Sequence, residues 1–217
     1  LKNGVSIQLS WWESLLDLFM INTLSLIGFA IIAVIIFWVI KKASSRVSKP
    51  KLVLSSLALF YYLLLALTNV FGIPSLGSLS RVYQLGEPIF NPNIVLVPFA
   101  DGFSLSFILN IIAFVPIGFL VPMISPIFNN IKKMFLLGTL VSLTIEISQL
   151  FTLYRATDIN DFLTNVLGTL IGYYCFTFVN NLFLKEKRTI GKGTNDQTKY
   201  LPPVIFIVSF FTVFLLN

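Results

Sequence analysis

Residues 104–124 read SLSFILNIIAFVPIGFLVPMI, a run without one charged side chain. A hydrocarbon core about 30 Å thick needs roughly 20 apolar residues for one helical crossing, and this run supplies them. It is apolar on every side, whereas the strands of a transmembrane barrel alternate apolar with polar. The stretch therefore reads as a transmembrane helix. Pro116 and Pro122 fall inside it. Pro116 removes an intrahelical hydrogen bond and predicts a kink.

Five further runs share this character. One spans roughly 17–40 and ends in Phe37-Trp38-Val39-Ile40 before Lys41-Lys42. Another, roughly 51–71, is stopped by Gly72-Ile73-Pro74. The others cover about 133–153, 161–184 and 201–216, the last opening on Pro202-Pro203, which suits a helix start. Composition agrees, since the 217 residues are 56% hydrophobic, 11% charged and have a mean hydropathy of +0.89. A soluble domain of that size has too little interior to hide so much apolar surface. The expectation is an all-α polytopic transmembrane helical bundle of about six spans. Residues 1–50 hold an interfacial segment, with Trp11-Trp12 as anchor, and the first span. Residues 51–184 form a core of four spans, and 185–217 a basic flexible loop and the last helix.

Several chemistries are excluded at this level. The chain has no histidine and a single cysteine, Cys175, so intrachain disulfides, His-based zinc sites and Ser-His or Cys-His pairs are ruled out. No cofactor and no metal are expected. The opening residues carry no positively charged n-region, so no cleavable signal peptide is expected.

The loops set an orientation. Lys41, Lys42, Arg46, Lys49 and Lys51 lie in one, Lys132 and Lys133 in a second, and Lys185, Lys187, Arg188, Lys192 and Lys199 in a third. In a six-span chain these share one side, and they hold 12 of the 15 basic residues. Only Lys2, Arg81 and Arg155 fall on the other. By the positive-inside rule the basic loops are cytoplasmic, while both termini and residues 72–103 and 153–161 lie outside. The net charge of +6 is then an orientation signal. No basic stripe interleaved with aromatics tracks a phosphate backbone, so nucleic acid is not an expected partner.

The chemically dense patch runs from Glu146 to Asn165. Glu146 and Gln149 are three apart and share a helical face; Asp158, Asp161 and Asn165 stack similarly if a helix begins near Asp158. Asp158 is then also suited to cap that helix. Glu146 lies about 10 Å below the outer end of its span, Asn110 about 9 Å below its own, and Asn165 about 6 Å below Asp161. Arg155 and the two aspartates form a lid above them. A glutamate within a span is costly unless paired, and such groups mark functional sites. The competing reading is structural: Arg155 neutralises Asp158 and Asp161, while Glu146 bonds Gln149 and Asn110, pinning helices only. Gly168 and Gly172 form Gly-x-x-x-Gly, a pattern that lets two helices approach closely. The outer stretch 72–103 is long to lack structure of its own. Its apolar part, Asn91 to Phe99, suits a packed connector or a lipid-gripping segment equally.

Together these residues resemble the VanZ-like family of bacterial membrane proteins. The matching features are Pro98-Phe99, Asn110 with Phe114-Val115-Pro116-Ile117-Gly118, and Glu146-x-x-Gln149. Arg155-x-x-Asp158-x-Asn160-Asp161 and Asn165-x-x-Gly168-x-x-x-Gly172 complete the set. The likeness covers roughly residues 50–184. Two positions depart from the family pattern: Asn160 stands where an Asp is usual, and Val95 where an Asn is. The resemblance implies a role at the envelope of a Gram-positive-like bacterium, since the family's named member confers resistance to teicoplanin, a lipid-bearing glycopeptide.

Two classes of activity follow. In the first, the protein binds a membrane lipid, a lipid-linked cell-wall precursor or a lipoglycopeptide from the outer leaflet. Asn110, Gln149, Arg155 and Asn165 are the binding residues, Arg155 taking an anionic group. In the second it is an enzyme on such a lipid, with Glu146 as general base and Asp158 and Asp161 orienting a water or a divalent cation. A proton-coupled transporter is a third class, disfavoured by the lack of an inverted repeat.

Overall fold

A backbone in hydrocarbon has no water to bond, so each apolar run satisfies its own amides by forming a helix. The computed structural model describes residues 23–42, 47–90, 92–99, 104–153, 155–184 and 196–215. The Trp11-Trp12 anchor, Glu13, Asp17, Asp101 and most of the 185–199 loop lie outside the described residues, as does the part of the first span before Thr23.

Among the described residues seven α-helices follow in order: α1 Thr23–Lys42, α2 Lys49–Leu65, α3 Leu76–Gln84, α4 Leu105–Ile124, α5 Ile131–Gln149, α6 Ile159–Val179 and α7 Leu201–Phe214. A π-helical turn, Ala66–Val70, extends α2, and another, Asn180–Leu184, extends α6; a 3₁₀ turn, Gln197–Tyr200, leads into α7. Two short strands, β1 Ile94–Val95 and β2 Thr157–Asp158, pair in parallel.

Glycine sets the tightest contact. A Cβ on Gly168 would collide with the carbonyl oxygen of Ile111, one on Gly172 with that of Val115, and one on Gly118 with that of Thr169. Both partner series ascend together, so α4 and α6 run parallel with their backbones in contact. The Gly-x-x-x-Gly reading holds as a packing device. Parallel neighbours require the intervening helix to run back, and α5 does so, packing on α6. On the other side of α4, the Tyr62 hydroxyl of α2 donates to the Ala113 carbonyl, in the turn that Pro116 loosens. Phe71 packs edge-on against Phe114 with ring centroids 5.1 Å apart. The first helix and α7 both pack on α2, and Gly28 accommodates Phe60 and Thr212.

Among the described residues, five helical segments are long and apolar enough to cross a membrane: Thr23–Lys42, Lys49–Val70, Leu105–Ile124, Ile159–Leu182 and Gln197–Phe214. The expected span at about 133–153 is α5, which ends at Gln149. It falls outside those five because it carries three charged side chains, Lys132, Lys133 and Glu146. The parallel α4–α6 pair nevertheless carries the chain back along α5 from one end of the bundle to the other.

The antiparallel alternation gathers Lys41, Lys42, Lys49, Lys51, Lys132, Lys133 and Lys199 at one end. There Lys41 lies over the Phe37 ring at 4.5 Å and Lys42 over Trp38 at 4.2 Å, a cation–aromatic pairing suited to an interface. The opposite end holds Val70 to Phe99 and Arg155 to Asp161. Residues 72–103, long for a stretch without structure of its own, contain α3 and β1. Ser75 and Ser78 cap α3 reciprocally, each side chain accepting from the other's amide.

Candidate functional site

Ser142, Glu146 and Gln149 recur at spacings of four and three, so they form one stripe of α5. Each is buried, and each is committed to a partner. The Asn165 side-chain amide of α6 donates to Ser142 Oγ at 3.0 Å. Glu146, only 3% exposed, accepts from the Asp158 backbone amide at 3.0 Å through Oε2. Its carbonyl oxygen accepts from Thr157 Oγ1 at 3.0 Å. Gln149 donates from Nε2 to the Phe71 carbonyl at 2.9 Å, tying the end of α5 to the end of α2.

The turn held by Glu146 begins α6. Asp158 is the N-cap, as its position suggested, its Oδ1 accepting from the Asn160 amide at 2.8 Å. Just before it, Thr157 donates its amide to the Asn93 carbonyl at 2.8 Å, and Ile94 and Val95 pair with Thr157 and Asp158. Asn160 then completes the clamp. Only 5% exposed, it accepts from the Phe99 amide at 3.0 Å. Phe99 has φ +57°, a left-handed conformation rare for a bulky residue and costing of order 1–3 kcal/mol. The Asn160 bond and the Phe107 ring, 5.8 Å away centroid to centroid, hold it there.

Arg155 is exposed. Its Nη2 donates to the Val70 carbonyl at 3.1 Å, and the guanidinium lies across Gly72. A Cβ on Gly72 would sit 3.1 Å from Nη2, and its φ of +57° independently favours glycine. Asn110 reaches the Asp161 carboxylate from α4, and the charges of Arg155, Asp158 and Asp161 all act on Glu146. The expected residues thus meet at one end of α4, α5 and α6. The pairings differ from the structural network read in the sequence. Glu146 binds neither Gln149 nor Asn110, and among the described residues Arg155 forms no ion pair with either aspartate. The physical reason is that backbone amides and carbonyls at the helix ends lie nearer than the opposing charges.

The polar set divides in two. Glu146, Gln149, Asn160 and Asn165 are buried pegs holding backbone or a hydroxyl. Arg155, Asp158, Asp161 and Asn110 keep partial access to the surface. Asn160 was read only as a departure from a family pattern; its place one residue before Asp161, beside a cap, was the signal available for it. Among the described residues no three Asp, Glu or Cys side chains gather as a metal would need.

The VanZ/LLP1 family matches residues 18–180, three quarters of the chain. This protein belongs to that family. It is a VanZ-like membrane protein, and the matched region takes in every helix from α1 to α6. No curated protein and no solved structure matches the chain.

Proposed function

We propose that this VanZ-like protein binds an amphiphilic envelope molecule, a lipid-linked cell-wall precursor or a lipoglycopeptide such as teicoplanin, at the outer face of a bacterial membrane. Through that binding it contributes to resistance. The positive-inside rule applied to the lysine-rich end of the bundle puts the Arg155 end outside. The observation that carries the reading is the division of the polar set. Glu146 is spent on a backbone amide, which suits a positioning residue better than a general base. Arg155, with its planar fork, suits a phosphate or carboxylate, and Asp158 and Asp161 suit the hydroxyl or amino groups of a glycan or peptide head. Asn110 orients Asp161. Two further acceptors, Gln149 Oε1 and Asn165 Oδ1, are buried and accept no hydrogen bond among the described residues, leaving capacity for donors.

The test is expression in a teicoplanin-susceptible host, alongside purification and mass spectrometry of retained lipids. A rise in the inhibitory concentration that Arg155→Ala abolishes at equal protein level is expected. No change in susceptibility with the wild-type chain defeats the resistance role. A retained precursor identifies the lipid-linked ligand, and retained antibiotic after exposure identifies the other source.

A further inference from the structure

The apolar segment 92–99 does not pack as a connector. Leu96 is 69% exposed and Val97 64%, and no charged side chain occurs between Glu87 and Asp101. The tip is nevertheless held at both ends. On one side the Asn93 carbonyl accepts from the Thr157 amide at 2.8 Å, and Ile94 and Val95 pair with Thr157 and Asp158. On the other, the Phe99 amide donates to Asn160 at 3.0 Å. Leu96, Val97 and Pro98 thus bridge two fixed points with no slack to fold back over their own side chains. The alternation of β1 puts Ile94 and Leu96 on one face, and both of them point away from the bundle.

Depth decides what covers this face. Helices α4 and α6 both belong to segments apolar and long enough to span, and they run parallel, so they start at one end of the bundle. The tip lies beside both starts. Phe99 bonds Asn160, in the first turn of α6, and its ring sits 5.8 Å from that of Phe107, in the first turn of α4. The lipid-facing surface of α4 opens at the same level, with Leu105 70% and Ile108 56% exposed. The hydrocarbon edge therefore runs past the tip. An apolar patch left uncovered marks a contact with a protein or a membrane, and at this depth the neighbour is lipid. The backbone sets the limit of entry. Pro92 and Pro98 carry no amide hydrogen, but Leu96 and Val97 do, and hydrocarbon offers such groups no partner. The chain then stays at head-group level while the two side chains enter the acyl region.

We propose that Leu96 and Val97 form a rigid tip inserted into the membrane leaflet at the Arg155 end of the bundle. Val95 pairs with Asp158, so insertion seats the Arg155–Asp161 turn at the head-group plane, where a membrane-held ligand arrives sideways without leaving the bilayer. The inference goes beyond the binding reading and does not depend on it, because the tip inserts whatever Arg155 meets.

The experiment uses the full chain with Cys175→Ser, reconstituted in vesicles of phosphatidylglycerol and phosphatidylcholine. Leu96→Cys and Val97→Cys are labelled singly with a nitrobenzoxadiazole dye. Both side chains are exposed, so neither replacement empties packed volume. Gln84→Cys, exposed on α3, is the aqueous reference, and Leu109→Cys, exposed on α4, the lipid reference. Both tip labels should emit to the blue of Gln84→Cys, lose its quenching by iodide, and be quenched by phospholipid brominated on its acyl chains. Iodide quenching equal to that of Gln84→Cys at both positions overturns the proposal. Shielding from iodide without quenching by bromine overturns it too, since the cover is then protein. A second copy of the chain is that cover if the shielding is lost on dilution into excess lipid. Retention of lipid or antibiotic is measured separately, and its failure leaves an inserted tip standing.

Discussion

Replacing Glu146 separates a positioning role from a chemical one. Its carboxylate holds the Asp158 amide at 3.0 Å, and Asp158 in turn caps α6 and pairs with β1. A hydrogen bond to a charged group contributes about 1.5–3 kcal/mol, so Glu146→Ala should loosen the 155–160 turn by about 2 kcal/mol. That is a factor of roughly thirty in the closed-to-open ratio. Glu146→Gln keeps an acceptor of the same reach. Charge-assisted bonds are about twice as strong as neutral ones, so the loss falls to about 1 kcal/mol, roughly fivefold. Hydrogen exchange at the Asp158 and Asn160 amides reads the opening, and retained lipid reads function. The expected order is wild type, then Gln close behind, then Ala far behind, in both measurements. A Glu146→Gln protein with wild-type exchange and no function would refute the argument and make the carboxylate a chemical group.

Three other outcomes are expected. Gly118→Ala and Gly172→Ala each force a methyl against a carbonyl oxygen, so each should cost about 1–3 kcal/mol in detergent unfolding; the double variant should cost less than the sum, because both separate the same helix pair. Asn160→Ala removes one hydrogen bond worth about 1 kcal/mol, and should speed proteolysis within 92–99 while leaving cleavage elsewhere unchanged; unaltered cleavage there would discard the clamp. Cys175 is exposed on α6, about 24 Å from its Ile159 end by helical rise, and should resist membrane-impermeant maleimide in intact and in opened cells. On a Cys175→Ser background, Gln84→Cys should label from outside and Lys133→Cys only after permeabilisation. The reverse pattern would invert the assigned orientation.

The spans were legible because hydrocarbon imposes a length and a composition that any reader can count. Gly168, Gly172 and the Asp158 cap were legible for the same local reason: each requirement is met within a few residues. Partner choice was not. That Glu146 and Gln149 share a face follows from spacing, but that one finds the Asp158 amide and the other the Phe71 carbonyl depends on how α5 is rotated and crossed against α6 and α2. The clamp on Phe99 depends on a contact 61 residues away in sequence and on strands of two residues each, too short for any periodicity to announce. Only the cap pair Ser75 and Ser78 advertised α3.

The weak hydropathy of α5 is explained by what its two faces do. The Ser142–Glu146–Gln149 stripe points at α6 and α2, where Ser142 meets the Asn165 side-chain amide, Glu146 the Asp158 amide and Gln149, through Nε2, the Phe71 carbonyl. Leu137, Leu140, Thr144 and Ile147 line the apolar cleft beside α7, which holds cavities of about 440 and 550 Å³. A helix required only to cross could be apolar all round. One that must also peg the 155–160 turn carries polar groups on the face turned into the bundle, and its mean hydropathy falls accordingly. The helix that looked least like a span is thus the one that carries the buried pegs beneath Arg155.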